Sequence, residues 1–264
     1  MTDFEPVYLT RPGAEAMLPA TSDVVEEVSP GIWCSPGLSN VFMIPTSEGR
    51  VIINAGMGFE GPVHRANLDS VDPSPVRYII VTQGHYDHVG GLDSVRDPDT
   101  QIVAQANWEQ WRDDNERLVR YRSARSAFAF SDTLATGIAK IQERFGRKLP
   151  GQSTPTADIV VEDTLTLTVG ERTFELIATL GGETTDSMVV WLPDEKICLC
   201  GNVFRAVRPY PEPGHHAWRP LSRRTYRDRH CRTSPRTGTR GSSQRSLRAD
   251  HRQGSDSLRT HPAA

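Results

Sequence analysis

Between residues 30 and 204 short apolar runs alternate with turn-forming residues. Ser29-Pro30-Gly31 predicts a turn ahead of Ile32-Trp33-Cys34. Val41-Phe42-Met43-Ile44 and Val51-Ile52-Ile53 flank Ser47-Glu48-Gly49, the pattern of a β-hairpin with buried strands. Asn54-Ala55-Gly56-Met57-Gly58 then predicts a tight turn, residues 62–70 a helix, and Tyr78-Ile79-Ile80-Val81 a buried strand. A short helix over 91–95 and a strand over 101–104 follow, so the first third alternates strands and crossovers as layered α/β folds do. Further on, Ile159-Val160-Val161, Leu165 to Val169 and Phe174 to Ile177 predict half-buried antiparallel strands. Met188 to Leu192 and Lys196 to Cys200 form a last hairpin, which ends in Gly201-Asn202.

Residues 107–150 break this rhythm. Trp108, Trp111, Leu118 and Tyr121 recur at spacings of three, seven and three, and Leu134, Ile138 and Ile141 at four and three. Those spacings predict amphipathic helices inserted over the core, with a lid on a substrate pocket or a homodimer contact as the sharper alternatives. His64, in a polar helical segment, is expected at the surface. The acidic residues 1–30 are expected to form a loop-like arm on the domain.

Composition changes the picture at the C-terminus. Residues 205–264 carry 14 Arg, no Lys and 4 acidic residues, and they lack Ile, Phe and Met, although the whole chain has a net charge of -3. Such a stretch cannot contribute a normal share of a core. The domain proper is therefore bounded at 31–204. Residues 1–20 contain Asp3, Glu5 and Glu15 and no apolar run, so no membrane anchor is expected and the cytoplasm is the expected compartment. The four cysteines, Cys34, Cys198, Cys200 and Cys231, have no zinc-knuckle or disulfide-framework spacing, and Cys198 and Cys200 suit one face of a strand.

The chemistry concentrates in Thr82-Gln83-Gly84-His85-Tyr86-Asp87-His88-Val89-Gly90-Gly91, where an apolar strand runs into two histidines and an aspartate ahead of paired glycines. Crowding of imidazole and carboxylate on one turn is how a protein presents ligands to a metal ion. Adjacent ligands on a turn point in different directions, so His85 and the Asp87/His88 pair suit two neighbouring ions more readily than one. Gln83 offers only a carboxamide, a weak ligand for zinc.

Four pieces in order, Ile53-Asn54-Ala55-Gly56, His85 to Gly91, Gly182-Glu183-Thr184 and Gly201-Asn202, resemble the metallo-β-lactamase superfamily over about residues 30–204. With Glu183 in place of the usual histidine, the resemblance is greatest to its alkylsulfatase-related branch. It implies an α/β fold, a four-layer αββα sandwich with metal at one edge of the paired sheets. It also implies Gln83, His85 and Glu183 at a first zinc ion, Asp87 and His88 at a second, and Asn202 at the position that usually bridges the two, with iron or manganese as alternatives. Asp87 would orient the attacking water, and the substrate would be a small ester-like molecule such as a sulfate ester, lactone or thioester. Asn202 and Asn54 stand where the superfamily usually has carboxylates. The alternative is a degraded, non-catalytic member that keeps the fold with one ion or none.

The same resemblance bears on the tail. The family's late Gly-His motif is missing after Phe204, yet codons for Arg208 to Thr225 read one nucleotide later permit Gly-His-Ile-Pro-Asn-Leu-Val-Thr-Met-Arg-Gly-Asp, which is text of that branch. The tail is accordingly expected to be frame-shifted, and a nucleic-acid-binding role for its arginines ranks lower because no lysine accompanies them. None of its histidines, His215, His216, His230, His251 or His261, is expected to be a ligand.

Overall fold

The computed structural model describes residues 18–203. The first sheet takes seven strands in chain order, β1 (Glu26–Ser29), β2 (Ile32–Ser35), β3 (Val41–Thr46), β4 (Gly49–Ile53), β5 (Val76–Ile80), β6 (Gln101–Gln105) and β7 (Ile159–Val161). Strands β1 to β4 pair antiparallel, and β4 to β7 pair parallel. Four antiparallel strands, β8 (Thr164–Val169), β9 (Arg172–Ala178), β10 (Met188–Leu192) and β11 (Ile197–Leu199), make the second sheet in the order β11-β10-β9-β8.

Between the sheets, Ile44, Val51, Ile53, Ile80 and Val103 of the first meet Phe174, Leu176, Met188, Val190 and Leu192 of the second. The opposite face of the first sheet, with Met43, Ile52, Ile79 and Ile102, is covered by Leu68, Val89, Leu92, Val95 and Trp108. These come from the helices α1 (Gly61–Asp69), α2 (Tyr86–Val89), α3 (Leu92–Val95) and α4 (Trp108–Phe145). A strand covered on both faces has no polar side, and all five residues of β4 are buried. By contrast β8 alternates, with Leu165 and Leu167 packed inward.

Among the described residues this is the expected α/β sandwich, less one layer. On the outer face of the second sheet, Val189, Trp191 and Cys198 cluster with Ile177, Cys200 and Val203, and no helical residue joins them among the described residues. Cys198 and Cys200 do share that face. Cys34, Cys198 and Cys200 are free thiols, while Cys231 falls outside the described residues.

Four expectations need correction. The end of the acidic arm is a strand, β1, whose Glu26 and Glu27 pair with Cys34 and Trp33. Ile159–Val161 joins the parallel side of the first sheet through Val103 to Gln105 instead of starting the antiparallel sheet. Alternation reports which face is buried and says nothing of the direction of the partner strand. Residues 108–145 form one 38-residue helix, whose Leu134, Ile138 and Ile141 pack inward while Tyr121 stays exposed. His64 is fully buried, because Glu60, His64 and Asn67 lie on the inner face of α1 or its lead-in turn and meet polar partners there.

Among the described residues no helix is long and apolar enough to cross a membrane. The Arg-rich segment 205–264, and with it the frame-shift expectation, lies outside the described residues.

Candidate metal centre

In open parallel sheets, ligand sites lie beyond the carboxyl ends of the strands. Here β4 and β5 run parallel and deliver Asn54 and Thr82–Gly84 to the same edge, where the loop after β9 and the turn after β11 meet them. Asn54 takes a left-handed backbone, φ 64°. Its Oδ1 accepts the Thr82 N–H and hydroxyl, both at 3.0 Å, which ties the two strand ends together. The glycines on either side of the histidines have steric causes of their own. A Cβ on Gly91 would stand 2.1 Å from the Ala55 carbonyl oxygen, and one on Gly84 would stand 1.9 Å from Trp111 Cδ1.

The six residues expected to ligate metal fall into two groups. In the first, Gln83 Nε2 donates to Glu183 Oε2 at 2.8 Å and lies 3.0 Å from His85 Nδ1, while His85 Nδ1 and Glu183 Oε2 stand 3.7 Å apart. Gln83 is buried and its Oε1 has no partner among the described residues. In the second, His88 Nε2 lies 3.2 Å from Asn202 Nδ2 and 3.4 Å from Asp87 Oδ2. Thr82 donates its hydroxyl hydrogen to Asn54, and its oxygen lies 3.4 Å from His88 Nδ1. Burial holds the His88 pKa below the usual imidazole range, outweighing the nearby carboxylates.

Each group thus holds two strong donors and one carboxamide. Among the described residues no three His, Cys, Asp or Glu side chains converge closely enough to hold an ion, so Gln83 and Asn202 decide whether either group can. Both amides turn N–H groups toward neighbouring acceptors, and each N–H fills the place of a cation between them. Reversed, the same amides would present oxygens. The separations of 2.8, 3.0 and 3.7 Å in the first group bracket the edge of about 3.3 Å expected around a tetrahedral ion with bonds near 2.0 Å. The orphaned Gln83 oxygen beside imidazole and carboxylate gives the amide a reason to reverse for a cation. The residues present fit a metal, with weaker ligands than an all-histidine and carboxylate set.

The loop after β9 is held by Ser187, whose Oγ accepts the N–H groups of Glu183 at 3.2 Å and Thr184 at 3.0 Å. Asp186 is buried, its Oδ1 is without a partner among the described residues, and burial raises its pKa against hydrogen bonds from Thr184 and Gly84.

Other residues join the centre that carried no chemical signal in the sequence. Ser39 Oγ lies 3.3 and 3.4 Å from the two ring nitrogens of His88. Trp111 of α4 meets the His85 ring edge-on at 5.4 Å, and the Arg122 guanidinium lies 4.8 Å over the indole. Asn115 donates to the Gly84 carbonyl at 2.9 Å, and Asn107 to Thr185 at 2.9 Å, so the start of α4 is moored to both loops. The spacing of Trp108 and Trp111 marked a helix, but only the fold puts Trp111 on the histidine.

A family model described as "Metallo-beta-lactamase superfamily" matches residues 34–229. Among solved structures, the stereoselective inverting sec-alkylsulfatase Pisa1 from Pseudomonas sp. is 20% identical over 66% of this chain and 30% of its own, with a TM-score of 0.54. A double mutant of that sulfatase gives 21% over the same shares with a TM-score of 0.55. A metallo-β-lactamase from Cronobacter sakazakii is 19% identical over 75% of this chain and 63% of its own, with a TM-score of 0.47. The chain therefore spans less than a third of the sulfatase's length, and at these identities the likeness is one of fold. No curated protein matches the chain.

Proposed function

The chain belongs to the metallo-beta-lactamase superfamily, and from that premise we propose that it hydrolyses a small ester-like substrate with a metal-activated water. One observation carries the reading: two imidazoles, two carboxylates and two carboxamides from three separate loops converge at one sheet edge. Gln83, His85 and Glu183 would hold one zinc ion and Asp87, His88 and Asn202 another. Such a donor set also suits iron or manganese, since two-thirds of it is carboxylate and carboxamide oxygen. A bound ion would lower the pKa of its water toward neutrality and polarise the scissile group.

The remaining chemistry belongs to the chain's own side chains. Asp87, a third exposed and beside His88 Nε2, is placed to accept a hydrogen bond from the attacking water and orient it. His88, kept neutral by burial, offers a ring-nitrogen lone pair. Trp111 walls the His85 side and limits bulk water there. Sulfate ester, lactone and thioester are the candidate substrates.

Gln83 and Asn202 favour a second reading, a fold-retaining protein that holds one ion or none and turns nothing over. Metal analysis of the purified chain with assays on a secondary alkyl sulfate, a lactone and a thioester separates the two. Hydrolysis lost to a chelator and restored by zinc, iron or manganese supports the hydrolase. Less than one ion per chain with no turnover of any substrate sinks it.

A further inference from the structure

Beneath the His88 half of the centre lies a fully buried carboxylate that the proposed hydrolysis leaves unused. Glu60 Oε1 accepts the N–H groups of Ala20 at 2.7 Å and Leu38 at 3.0 Å, and its Oε2 accepts that of Met57 at 3.0 Å. It has no salt-bridge partner among the described residues. Three chain segments are gathered on one side chain.

Two of them lead directly to His88. Leu38 precedes Ser39, whose hydroxyl touches the His88 ring. Met57 ends the turn in which Ala55 donates to the His88 carbonyl at 2.7 Å and the Gly56 carbonyl accepts Gly91 at 2.9 Å. The side chain and the backbone of His88 are thus each held by a segment fastened to Glu60. We propose that Glu60 is a positioning residue, which fixes Ser39 and the 55–57 turn against His88 and so sets the ring for an ion. This rests on the reading of His88 as a metal ligand.

The choice of side chain agrees. Burying a carboxylate without a counter-charge is costly, and an apolar or amide residue would be the cheaper filling. Only a carboxylate presents acceptor oxygens, and no hydrogen, to all three N–H groups. Glutamine in its place would turn a donor toward at least one of them. Burial outweighs those three hydrogen bonds and pushes the Glu60 pKa up to about 7, with the Asp87 charge adding to the rise. His64, on the same helix face, stays neutral, its pKa pushed down to about 3 by burial. The carboxylate is therefore retained against a cost in stability.

The test uses the full chain and two readouts: the imidazole nitrogen resonances of His88 in metal-free protein, and zinc affinity by competition with a chelator. At pH 8, Glu60→Gln is expected to shift the His88 resonances and to weaken zinc binding by about 10-fold or more, as loss of an outer partner of a ligand does. Glu60→Asp, which keeps both oxygens, restores part of the affinity. Ser39→Ala, at the end of one route and near the surface, shifts the same resonances, and it decides the matter should Glu60→Gln fail to fold. Unchanged His88 resonances in Glu60→Gln or in Ser39→Ala overturn the proposal, whatever the effect on melting temperature. If the wild-type chain binds none of zinc, iron and manganese, the hydrolase reading fails, and the His88 resonances still judge Glu60 alone.

Discussion

The two halves of the centre contain the same kinds of ligand but are built differently. His88 is buried and is approached by Ser39, Thr82, Asn202 and Asp87, with Glu60 and His64 beneath. His85 and Glu183 are partly exposed, bridged by Gln83, and backed from outside by Trp111 on the long helix. One half is fixed by the interior of the sandwich, the other by a loop and a helix laid over it. An ion entering either half displaces an amide N–H, that of Asn202 from His88 Nε2 or that of Gln83 from His85 and Glu183, but in the second half the ring that receives it is already fixed from several sides.

That difference predicts where substitution hurts most. His88→Ala removes the ring on which the inner half converges and leaves Thr82, Asn202 and Ser39 without their common partner. Metal affinity should fall by more than about 100-fold, beyond the loss seen for outer partners of a ligand. Unpairing buried polar groups should also cost about 1–3 kcal/mol of stability. His85→Ala should lose affinity with little change in melting. Equal destabilisation by the two alanines would break the comparison.

Gln83→His is the next largest effect and runs the other way. It removes the amide that bridges Glu183 and His85 and supplies an imidazole, a far better zinc ligand. Zinc bound per chain should rise, with affinity in that half up by roughly 10-fold or more. A variant with unchanged zinc content would mean that the outer half fails for want of shape and not for want of a ligand.

Legibility in the sequence did not follow that division. The buried strand Tyr78 to Val81 and the adjacent His85, Asp87 and His88 announce themselves, because a buried parallel strand is continuously apolar and its end is where side chains gather. Asn54, Glu183 and Asn202 needed the order of motifs. Glu60 and His64 were opaque, since a polar residue on the inner face of a short helix has the same local pattern as one on its outer face. Their burial follows from Ser35, Leu38 and Ala20, which come close only in the folded chain. Trp111 was visible as a helix residue, yet nothing local says that its helix begins over His85. The strand Ile159–Val161 was found but assigned the wrong partner, because three apolar residues do not encode direction.

The support beneath His88 makes a pH prediction that sharpens the contrast. His64 has a folded pKa near 3 against an ordinary 6.5, so it favours folding above 6.5 and loses that contribution as pH falls toward 3. Glu60 is raised to about 7 from 4.5, so it costs stability as pH rises from 4.5 to 7. The unfolded chain binds the extra proton at His64 and the folded chain at Glu60, and between pH 4.5 and 6.5 the two slopes cancel. Urea unfolding across that window should expose each alone. Stability of His64→Gln should fall as pH rises, and that of Glu60→Gln should climb, each by up to about 1.4 kcal/mol per pH unit. Parallel slopes in all three proteins would dissolve the pair.

The smallest effect belongs to the outer wall. Trp111→Ala removes an edge contact with His85 and a cation–π contact with Arg122, together worth about 1 kcal/mol at a partly exposed position. Its consequence for a substrate should be larger than its consequence for the fold, since Asn107 and Asn115 still moor the helix to Thr185 and Gly84. The prediction is a raised KM with kcat and metal content nearly unchanged, because the wall touches no atom of the inner half. Trp111→Phe keeps the ring over Gly84 and should recover most of the loss. A fall in kcat with KM unchanged would instead place Trp111 among the groups that orient His85, and the outer half would then be as tightly specified as the inner one.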